Sequence, residues 1–443
     1  MCGIVAIVSR PSSRTVPEAA ALLALLDQAT AAATLADAAR AVNEVDRLLH
    51  GVPGVRALVG RHELVAGITA RLDQIDARVA ARDAELEAAT GLSPEALEAA
   101  NAELLSIRDA AWAVRKDRLR TAEMVGRFAG RDAGESAVAA YLTIQQALSA
   151  IDRMEVRGRD SAGIHVFVWQ HGLDLDDPAV RPLLARRSAD PLFQNGSVRV
   201  AGGCLSFVYK AAAEIGELGD NVKALRAAVE ADELLRLAVS NAQARASVIG
   251  HTRWASVGII SEPNCHPVNG EQSEQGAGDP YTVAVLNGDV DNHADIKVTH
   301  GLRIPGPITT DAKVIPAVMA VQSAATSGDV AEAFRRTVAE FEGSVAIGAQ
   351  SADEPNSVFL ALRGSGQALY VGLADDMFLV ASEPYGVVEE TNRYLRVDGE
   401  TPAPSGSRGQ VLVLDGNNAG SLDGVRRMAY DGSSLPVAER EVV

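Results

Sequence analysis

The chain has 443 residues and carries 41 Lys and Arg against 58 Asp and Glu, a formal net charge of −17. A single hydrophobic core stops growing at roughly 250 to 300 residues, so this length predicts at least two compact parts. The acidic balance opposes attraction to phosphate backbones and anionic lipids, and no apolar run reaches the roughly 18 residues needed to cross a bilayer. We therefore expect neither nucleic acid nor membrane as a partner.

The chain begins MCGIVAIVS, an apolar run that Arg10 and Pro11 end. A secretory signal needs a positive head, a longer apolar stretch and a small-residue cleavage site, so export is not expected. Cys2, Cys204 and Cys265 are too few and too dispersed for a disulfide framework, and they lack CxxC spacing. A reducing cytoplasm fits this cysteine usage, so we expect a cytoplasmic protein.

Residues 16–140 are dominated by Ala, Leu, Glu, Arg and Asp, and their apolar positions recur at helical spacing. The stretch TGLSPEALEAA supplies a break and a restart, with Ser93 as N-cap, Pro94 at the first helical position and Glu95 in the first turn. The pattern predicts a large inserted α-helical hairpin, a structural or partner-docking arm. Such arms commonly mediate oligomer contacts, so a homo-oligomer of unassigned symmetry is expected.

From residue 141 onward the pattern changes to short strands and helices bounded by Gly, Asn, Asp and Ser. Helices are predicted over YLTIQQALSAIDRM and NVKALRAAVEADELLRLAV. Strands are predicted over GIHVFVW, ASVIGHTRWA, YTVAVLNGDV, SVAIGAQ, SVFLALRG, ALYVGLA, MFLVAS and QVLVLDG. This indicates a β-rich α+β domain made of residues 1–15 and 141–435, with an extra segment at about 171–247. Residues 436–443 are typical of the start of a linker.

The second residue offers a self-sufficient nucleophile. Removal of Met1, which is usual before a small second residue, would leave Cys2 with a free α-amine beside its thiol. The ordinary pKa is about 8.5 for the thiol and about 8 for the α-amine, so the neutral amine can act as base for the adjacent sulfur. The alternative is that Cys2 is only a small apolar residue that starts a strand.

Four further stretches place polar residues beside apolar strands: RGRDSAGI, GHTRWASVGIISEPNCHP, LNGDVDNH and TTDAKV. The Asn287 side-chain amide and the Gly288 N–H can converge on an oxyanion, although Asn-Gly is also the commonest tight hairpin turn. Arg253 and Asp311 could hold the carboxylate and the ammonium group of a zwitterion, and a surface ion pair is the alternative.

No metal or cofactor is expected. His251, His266 and His293 are not joined by a carboxylate or cysteine spacing that would make a metal-ligand cluster. The sequence also lacks a Gly-rich phosphate loop of the P-loop type. Hydrolysis without a cofactor is the consistent prediction.

In chain order, MCGIVAIV and the four stretches resemble the glutaminase domain of glutamine-dependent glucosamine-6-phosphate synthase (glutamine-fructose-6-phosphate aminotransferase), a class II glutamine amidotransferase. HTRWA followed by S-x-x-N-x-H-P is the most specific piece, because amidophosphoribosyltransferase and asparagine synthetase differ there. The resemblance covers about residues 1–10, 141–170 and 248–435. It implies the N-terminal-nucleophile hydrolase fold, an αββα sandwich.

The resemblance implies a role for each matched position in the hydrolysis of L-glutamine. Cys2 would attack the carboxamide, release ammonia and leave a glutamyl thioester that water hydrolyses. Asn287 and Gly288 would form the oxyanion hole. Arg253 would hold the substrate α-carboxylate, and Asp311 would hold its α-amine.

Four more residues fall on motifs of the same domain. Trp254 and Ser256 would line the substrate pocket, whereas Arg157 and Gly158 match the family's RG motif near the nucleophile. In the complete synthase, ammonia passes to a sugar-isomerase part that converts fructose 6-phosphate into glucosamine 6-phosphate. A sugar-phosphate isomerase domain or subunit is therefore an implied partner.

The chain departs from the family pattern at four positions. Val257 stands where the family commonly has His, and Ser256 replaces Thr but keeps a hydroxyl. Arg159 replaces an aromatic residue, and Lys313 replaces an acidic one. The helical arm and the segment around 171–247 are large additions.

Two other functions compete with glutamine-dependent amino-sugar synthesis. The first is a catalytically weakened regulatory or scaffolding protein that binds partners through its helical arm, which Val257 and the size of the arm favour. The second is an amidotransferase that feeds a different acceptor, which the HTRWA stretch disfavours.

Overall fold

The structure, a computed structural model, describes residues 2–89, 91–212, 217–273, 281–364, 366–403 and 405–443. The chain divides into two compact units. The sheet unit is made of Met1–Pro11 and Thr143–Val443, and the helical unit is Ser12–Leu142. We propose that these two units correspond to the two domains predicted from composition. The sequence predicts the domain boundaries between residues 15 and 16 and between residues 140 and 141.

The helical unit contains more helices than the predicted hairpin. They are α1 (Ala19–Ala31), α2 (Leu35–Leu49), α3 (Gly51–Leu58), α4 (His62–Ala88), α5 (Pro94–Trp112) and α6 (Arg120–Ala129). The hairpin corresponds to α4 and α5, and the Ser93 hydroxyl accepts a hydrogen bond from the Ala96 N–H, as its position predicts. A π-helical segment, Ala113–Leu119, joins α5 to α6. The hairpin prediction is therefore correct for α4 and α5 but omits α1, α2 and α3.

The sheet unit contains each strand and both helical runs that the sequence predicts, together with short strands and helices that the sequence analysis did not predict. Its helices are α7 (Glu135–Met154, which contains the unit boundary), α8 (Arg181–Ser188), α9 (Asp220–Glu230), α10 (Glu233–Ala238), α11 (His293–Thr299), α12 (Val314–Ala325) and α13 (Val330–Ala339). Its strands are β1 (Gly3–Ser9), β2 (Ser161–Trp169), β3 (Val198–Ala201), β4 (Cys204–Ala211), β5 (Arg245–Arg253), β6 (Val268–Asn269), β7 (Thr282–Gly288), β8 (Val345–Ser351), β9 (Ser357–Arg363), β10 (Leu369–Leu373), β11 (Met377–Ala381), β12 (Tyr394–Val397), β13 (Gln410–Asp415) and β14 (Val425–Ala429).

These strands form two antiparallel sheets. The described strands of the first have the order β12-β10-β11-β1-β5-β2-β4-β3, and those of the second have the order β14-β13-β9-β8-β7-β6. Apolar side chains from the facing sides, such as Ile4, Ile249, Val285 and Leu360, form one buried core. Because both faces of the central strands are buried, these strands have nearly continuous apolar sequences.

Helices cover the outer faces of both sheets. Helices α12 and α13 pack on β7 and β9 around a second apolar core that includes Phe334 and Phe359. Helix α9 packs on β2 and β4, and Ile151 of α7 approaches Gly250 of β5. The layers confirm the predicted α+β class and the αββα sandwich.

Two segments that the sequence predicts to be additions or linkers form part of the sheet unit or hydrogen-bond to it. The extra segment at 171–247 supplies β3 and β4, which extend the first sheet beyond β2. Asp232 fastens this segment, because its buried carboxylate accepts two hydrogen bonds from Arg187 and one from the Tyr209 hydroxyl at 2.6 Å. Residues 436–443 differ from a free linker, because Val443 exchanges backbone hydrogen bonds with Tyr394.

A search of the described helices finds no segment whose length and hydropathy would allow it to span a bilayer.

Candidate active site

Cys2 lies immediately before β1, which pairs with β11 on one side and β5 on the other. Its sulfur accepts a hydrogen bond from the Trp254 N–H at 3.3 Å and lies 3.4 Å from the Trp254 carbonyl oxygen. Burial raises the pKa of the Cys2 thiol, and the contact with the Trp254 backbone opposes this shift. The thiol is therefore protonated at neutral pH, and a nucleophilic role requires a base.

The Asn287 side chain lies at the end of β7 and faces Cys2. Its Nδ2 donates a hydrogen bond to the Cys2 carbonyl oxygen at 2.9 Å, and its Oδ1 lies 2.9 Å from His251 Nε2. Because a carbonyl oxygen can only accept, this pairing fixes which way the amide points. The structure thus brings the predicted oxyanion residue against the predicted nucleophile.

His251 was missed as a functional residue by the sequence analysis. Burial lowers the pKa of His251 to about 3, so its ring is neutral and carries one proton. The Asn287 Oδ1 can only accept, so that proton is on Nε2. His251 therefore orients the Asn287 amide as a hydrogen-bond donor.

The hairpin-turn alternative for Asn287 and Gly288 is wrong. Both residues belong to β7 and pair with Ala346 and Val345 of β8. Gly288 has φ +87°, and a Cβ at this position would lie 1.9 Å from the Ser344 carbonyl oxygen. Only glycine fits here, because a side chain meets both an unfavourable dihedral angle and a backbone atom.

Arg253 ends β5 and is buried, with 3 % of its surface exposed. Its guanidinium donates hydrogen bonds to the carbonyl oxygens of Val257, Gly258 (3.5 Å) and Ile259 (3.4 Å). Burial lowers the pKa of Arg253, while nearby acidic groups, including Asp311, favour its charged form. Carbonyl oxygens of the loop after β5 therefore surround the Arg253 guanidinium.

Asp311 begins a short 3-10 turn and is also buried. Its Oδ2 accepts the Val290 N–H at 2.8 Å, and burial raises the pKa of the carboxyl group. Asn264, which the sequence analysis did not single out, holds the preceding residues by accepting the N–H groups of Thr309 and Thr310 at 2.7 and 2.9 Å. The surface ion-pair alternative for Arg253 and Asp311 is wrong, since neither side chain lies at the surface.

Trp254 and Ser256 lie on the outer side of the same loop. Trp254 is 57 % exposed, and its backbone rather than its ring contacts Cys2. The Ser256 hydroxyl donates a hydrogen bond to Asp289 Oδ1 at 2.8 Å. This bond connects the loop after β5 with the residues that follow Gly288.

The RGRD stretch supports the strand end that contacts Cys2. A Cβ on Gly158 would lie 2.6 Å from the Arg253 carbonyl carbon and 2.9 Å from the Trp254 nitrogen, so the two backbone segments are in close contact. Asp160 Oδ2 accepts the Ala255 N–H at 2.8 Å. Asp160 was therefore missed as a positioning residue, although it lies within a quoted motif.

Arg157 and Lys313 bind other parts of the sheet unit. Arg157 forms an ion pair with Glu383 at 2.5 Å. The buried Lys313 ammonium donates hydrogen bonds to the Asn269 carbonyl oxygen at 2.6 Å and to its side-chain oxygen at 3.0 Å. The lysine that departs from the family pattern thus has a structural partner. Among the described residues, no group of His, Cys, Asp and Glu could hold a metal ion.

Comparison with known proteins agrees with the motifs. No family model matches the chain. Proteins named glutamine–fructose-6-phosphate aminotransferase [isomerizing] are similar to it, one from Bacillus thuringiensis subsp. konkukian (29 % identity over 250 residues, 56 % of this chain and 32 % of that protein). Another is from Oceanobacillus iheyensis (33 % over 170 residues, 38 % of this chain and 26 % of that protein). The chain thus spans about a third or less of the length of these relatives.

A solved glutamine phosphoribosylpyrophosphate amidotransferase from B. subtilis aligns with 66 % of this chain and 47 % of its own, at 15 % identity and a TM-score of 0.39. The sequence matches confirm the resemblance to class II glutamine amidotransferases.

Replacing Gly288 should disrupt the strand end that bears Asn287. We expect Gly288→Ala to lower the free energy of unfolding by more than about 1 kcal/mol, because the added Cβ meets the Ser344 carbonyl oxygen and φ is positive. Urea denaturation measures this change. The control is Gly306→Ala, whose Cβ has no neighbour within 4 Å. Equal stability of the two variants would contradict the assignment.

Lys313 should make stability depend on pH. Burial lowers its pKa from 10.5 to about 7, so the unfolded chain retains a proton that the folded chain has released between these values. The stability of the wild type should therefore rise with pH relative to Lys313→Met, by up to about 1.4 kcal/mol per pH unit. Urea denaturation at several alkaline pH values tests this, with the exposed Lys223→Met as control. Parallel pH profiles for wild type and Lys313→Met would refute it.

Proposed function

We propose that this chain hydrolyses L-glutamine to glutamate and ammonia, with Cys2 as the N-terminal nucleophile after removal of Met1. The observation that carries the proposal is the contact of Cys2 with Asn287, whose amide nitrogen lies 2.9 Å from the Cys2 carbonyl oxygen. An amide nitrogen has two N–H groups, so one remains for an oxyanion after this bond is made.

In the proposed reaction the Cys2 α-amine takes the thiol proton, because burial keeps the thiol protonated at neutral pH. The sulfur then attacks the glutamine carboxamide carbon, and the oxygen becomes an anion beside the Asn287 amide and the Gly288 N–H. Collapse breaks the carbon–nitrogen bond, and the α-ammonium protonates the departing ammonia. Water then hydrolyses the thioester and frees glutamate and the thiol.

Arg253 and Asp311 would recognise the amino-acid end of glutamine. Their buried charges favour opposite charges, Arg253 the α-carboxylate and Asp311 the α-ammonium group. A bound carboxylate would replace carbonyl contacts that the loop after β5 makes with the guanidinium. Ser256 and Trp254, which are exposed, would line the pocket from its outer side. Gly158 would support the Trp254 backbone, and Arg157 is held by its ion pair with Glu383.

The released ammonia would serve the synthesis of glucosamine 6-phosphate from fructose 6-phosphate. This step is supported by the names of the similar proteins and requires a sugar-isomerase domain or subunit as partner. We further propose a cytoplasmic location and a homo-oligomer whose contacts involve the helical unit. No metal or cofactor enters the proposed hydrolysis.

The scaffolding alternative is favoured by one observation, the occupation of the Arg253 guanidinium by its own loop. If this loop never opens, the chain would bind a partner without turning over glutamine. Glutamine turnover by the purified chain distinguishes the two functions.

Removing the Cys2 thiol should abolish hydrolysis. We expect Cys2→Ala to lower the rate of glutamate release by at least about 10³-fold, because no other group supplies the attacking sulfur. Cys204→Ala, which alters a buried cysteine of β4, should retain activity. Intact-protein mass spectrometry should show loss of Met1, and kcat/KM should rise from acidic to mildly alkaline pH. Retained Met1 or equal turnover by Cys2→Ala would overturn the proposal.

His251 should act through the orientation of Asn287. We expect His251→Leu to lower kcat by about tenfold or more with a smaller change in KM, since the amide loses the donor that fixes it. His251→Gln retains a side-chain N–H and should recover part of kcat. Steady-state kinetics at several glutamine concentrations separate the two constants. A change confined to KM would argue against this role.

A further inference from the structure

The helical unit contains a cavity of about 750 Å³ that is open to solvent, and its lining includes no residue of the candidate active site. It is bounded by the end of α3, the start of α4, the π-helical segment and α6, all within Ser12–Leu142. Its volume is within the range of about 300–1,000 Å³ that is usual for small-molecule sites. The cavity is therefore large enough for a metabolite.

The charge of the lining is opposite to that of the whole protein. Five lining side chains are cationic (Arg115, Lys116, Arg120, Arg127 and Arg131), and Glu123 is the only carboxylate among the described lining residues. The whole chain has a net charge of −17. A cavity with this local excess of positive charge favours a small anion, whereas the overall charge repels a long polyanion.

Two of these arginines are exposed at the cavity and have no partner among the described residues. Arg115 is neutralised by Asp73 at 3.0 Å and Asp76 at 2.8 Å on α4. By contrast, the Arg120 and Arg131 side chains form no hydrogen bond or ion pair with any residue that the structure describes. Planar guanidinium groups with free N–H donors suit the oxygen atoms of a phosphate group.

Apolar side chains form another part of the lining. Leu58 is buried, and Val65, Leu119 and Met124 are partly buried at the same cavity. The π-helical segment Ala113–Leu119 contributes Arg115, Lys116 and Leu119, and π-helical segments often occur at functional sites. Apolar walls beside arginines suit a molecule with both a phosphate and an apolar or ring-shaped body.

We propose that this basic cavity binds a small phosphomonoester, with Arg120 and Arg131 contacting the phosphate and the apolar wall contacting the organic body. This site is additional to the proposed glutamine chemistry and does not depend on it. The cavity opening and the apolar wall distinguish it from a flat basic surface for nucleic acid.

Calorimetric titration of the full chain tests the proposal with AMP, ribose 5-phosphate and 1-naphthyl phosphate as probes. At least one should bind at millimolar concentrations or below, and adenosine, ribose and 1-naphthol should bind more weakly than their phosphates. The double variant Arg120→Gln/Arg131→Gln should weaken phosphate binding by at least about tenfold.

The control variant Arg40→Gln/Arg82→Gln removes the same charge from exposed positions of the helical unit outside the cavity. It should bind the probes as the wild type does, and circular dichroism should show equal helix content for all variants. Absence of binding by all three phosphates would overturn the proposal. Equal weakening by the control pair, or binding that survives in Arg120→Gln/Arg131→Gln, would also overturn it.

Discussion

The side-chain amide of Asn287 is the interaction on which the candidate site depends, because it joins the two sheets at their strand ends. Its nitrogen bonds Cys2 at the start of β1, and its oxygen faces His251 of β5, whereas Asn287 itself belongs to β7 of the other sheet. The packed core between the sheets fixes the separation of these strands. A shift between the sheets would therefore separate Cys2 from the Asn287 amide.

Polar side chains then fix the loops around this link. Asn264 binds the backbone before Asp311, and Asp160 binds the backbone after Arg253. Such bonds satisfy amide groups that are buried or partly buried and would otherwise destabilise the fold. The buried and oppositely charged Arg253 and Asp311 therefore lie on two different loops, each of which is held by its own polar side chain. Arg253 is bound by carbonyl oxygens of its own loop, and Asp311 by the Val290 N–H.

The sequence predicts the strands well because two buried faces leave continuous apolar runs such as those of β1, β7 and β9. It also singles out Cys2, Asn287 and Gly288, whose chemistry is local. The roles of His251, Asn264 and Asp160 escape prediction because their partners lie far away in the sequence, 36 to 95 residues along the chain. The additional helices α1, α2 and α3 escape for another reason: the hairpin prediction rests on the single break at TGLSPEALEAA, although apolar positions recur at helical spacing along the whole of residues 16–140.

The basic cavity, too, can be predicted only in part from the sequence, because tertiary structure determines the rest. Arg120 and Arg127 are seven residues apart on α6, a spacing that places both on one helix face and can be recognised from sequence. A basic stripe on a solvated helix would nevertheless have little meaning. Its significance comes from Val65 of α4 and Leu58 of α3, which add an apolar wall and make the stripe one side of an open cavity. An apolar wall beside exposed arginines offers a ligand a charged and an apolar contact together, so this combination, rather than the number of arginines, makes binding of an anion with an apolar body the physical expectation.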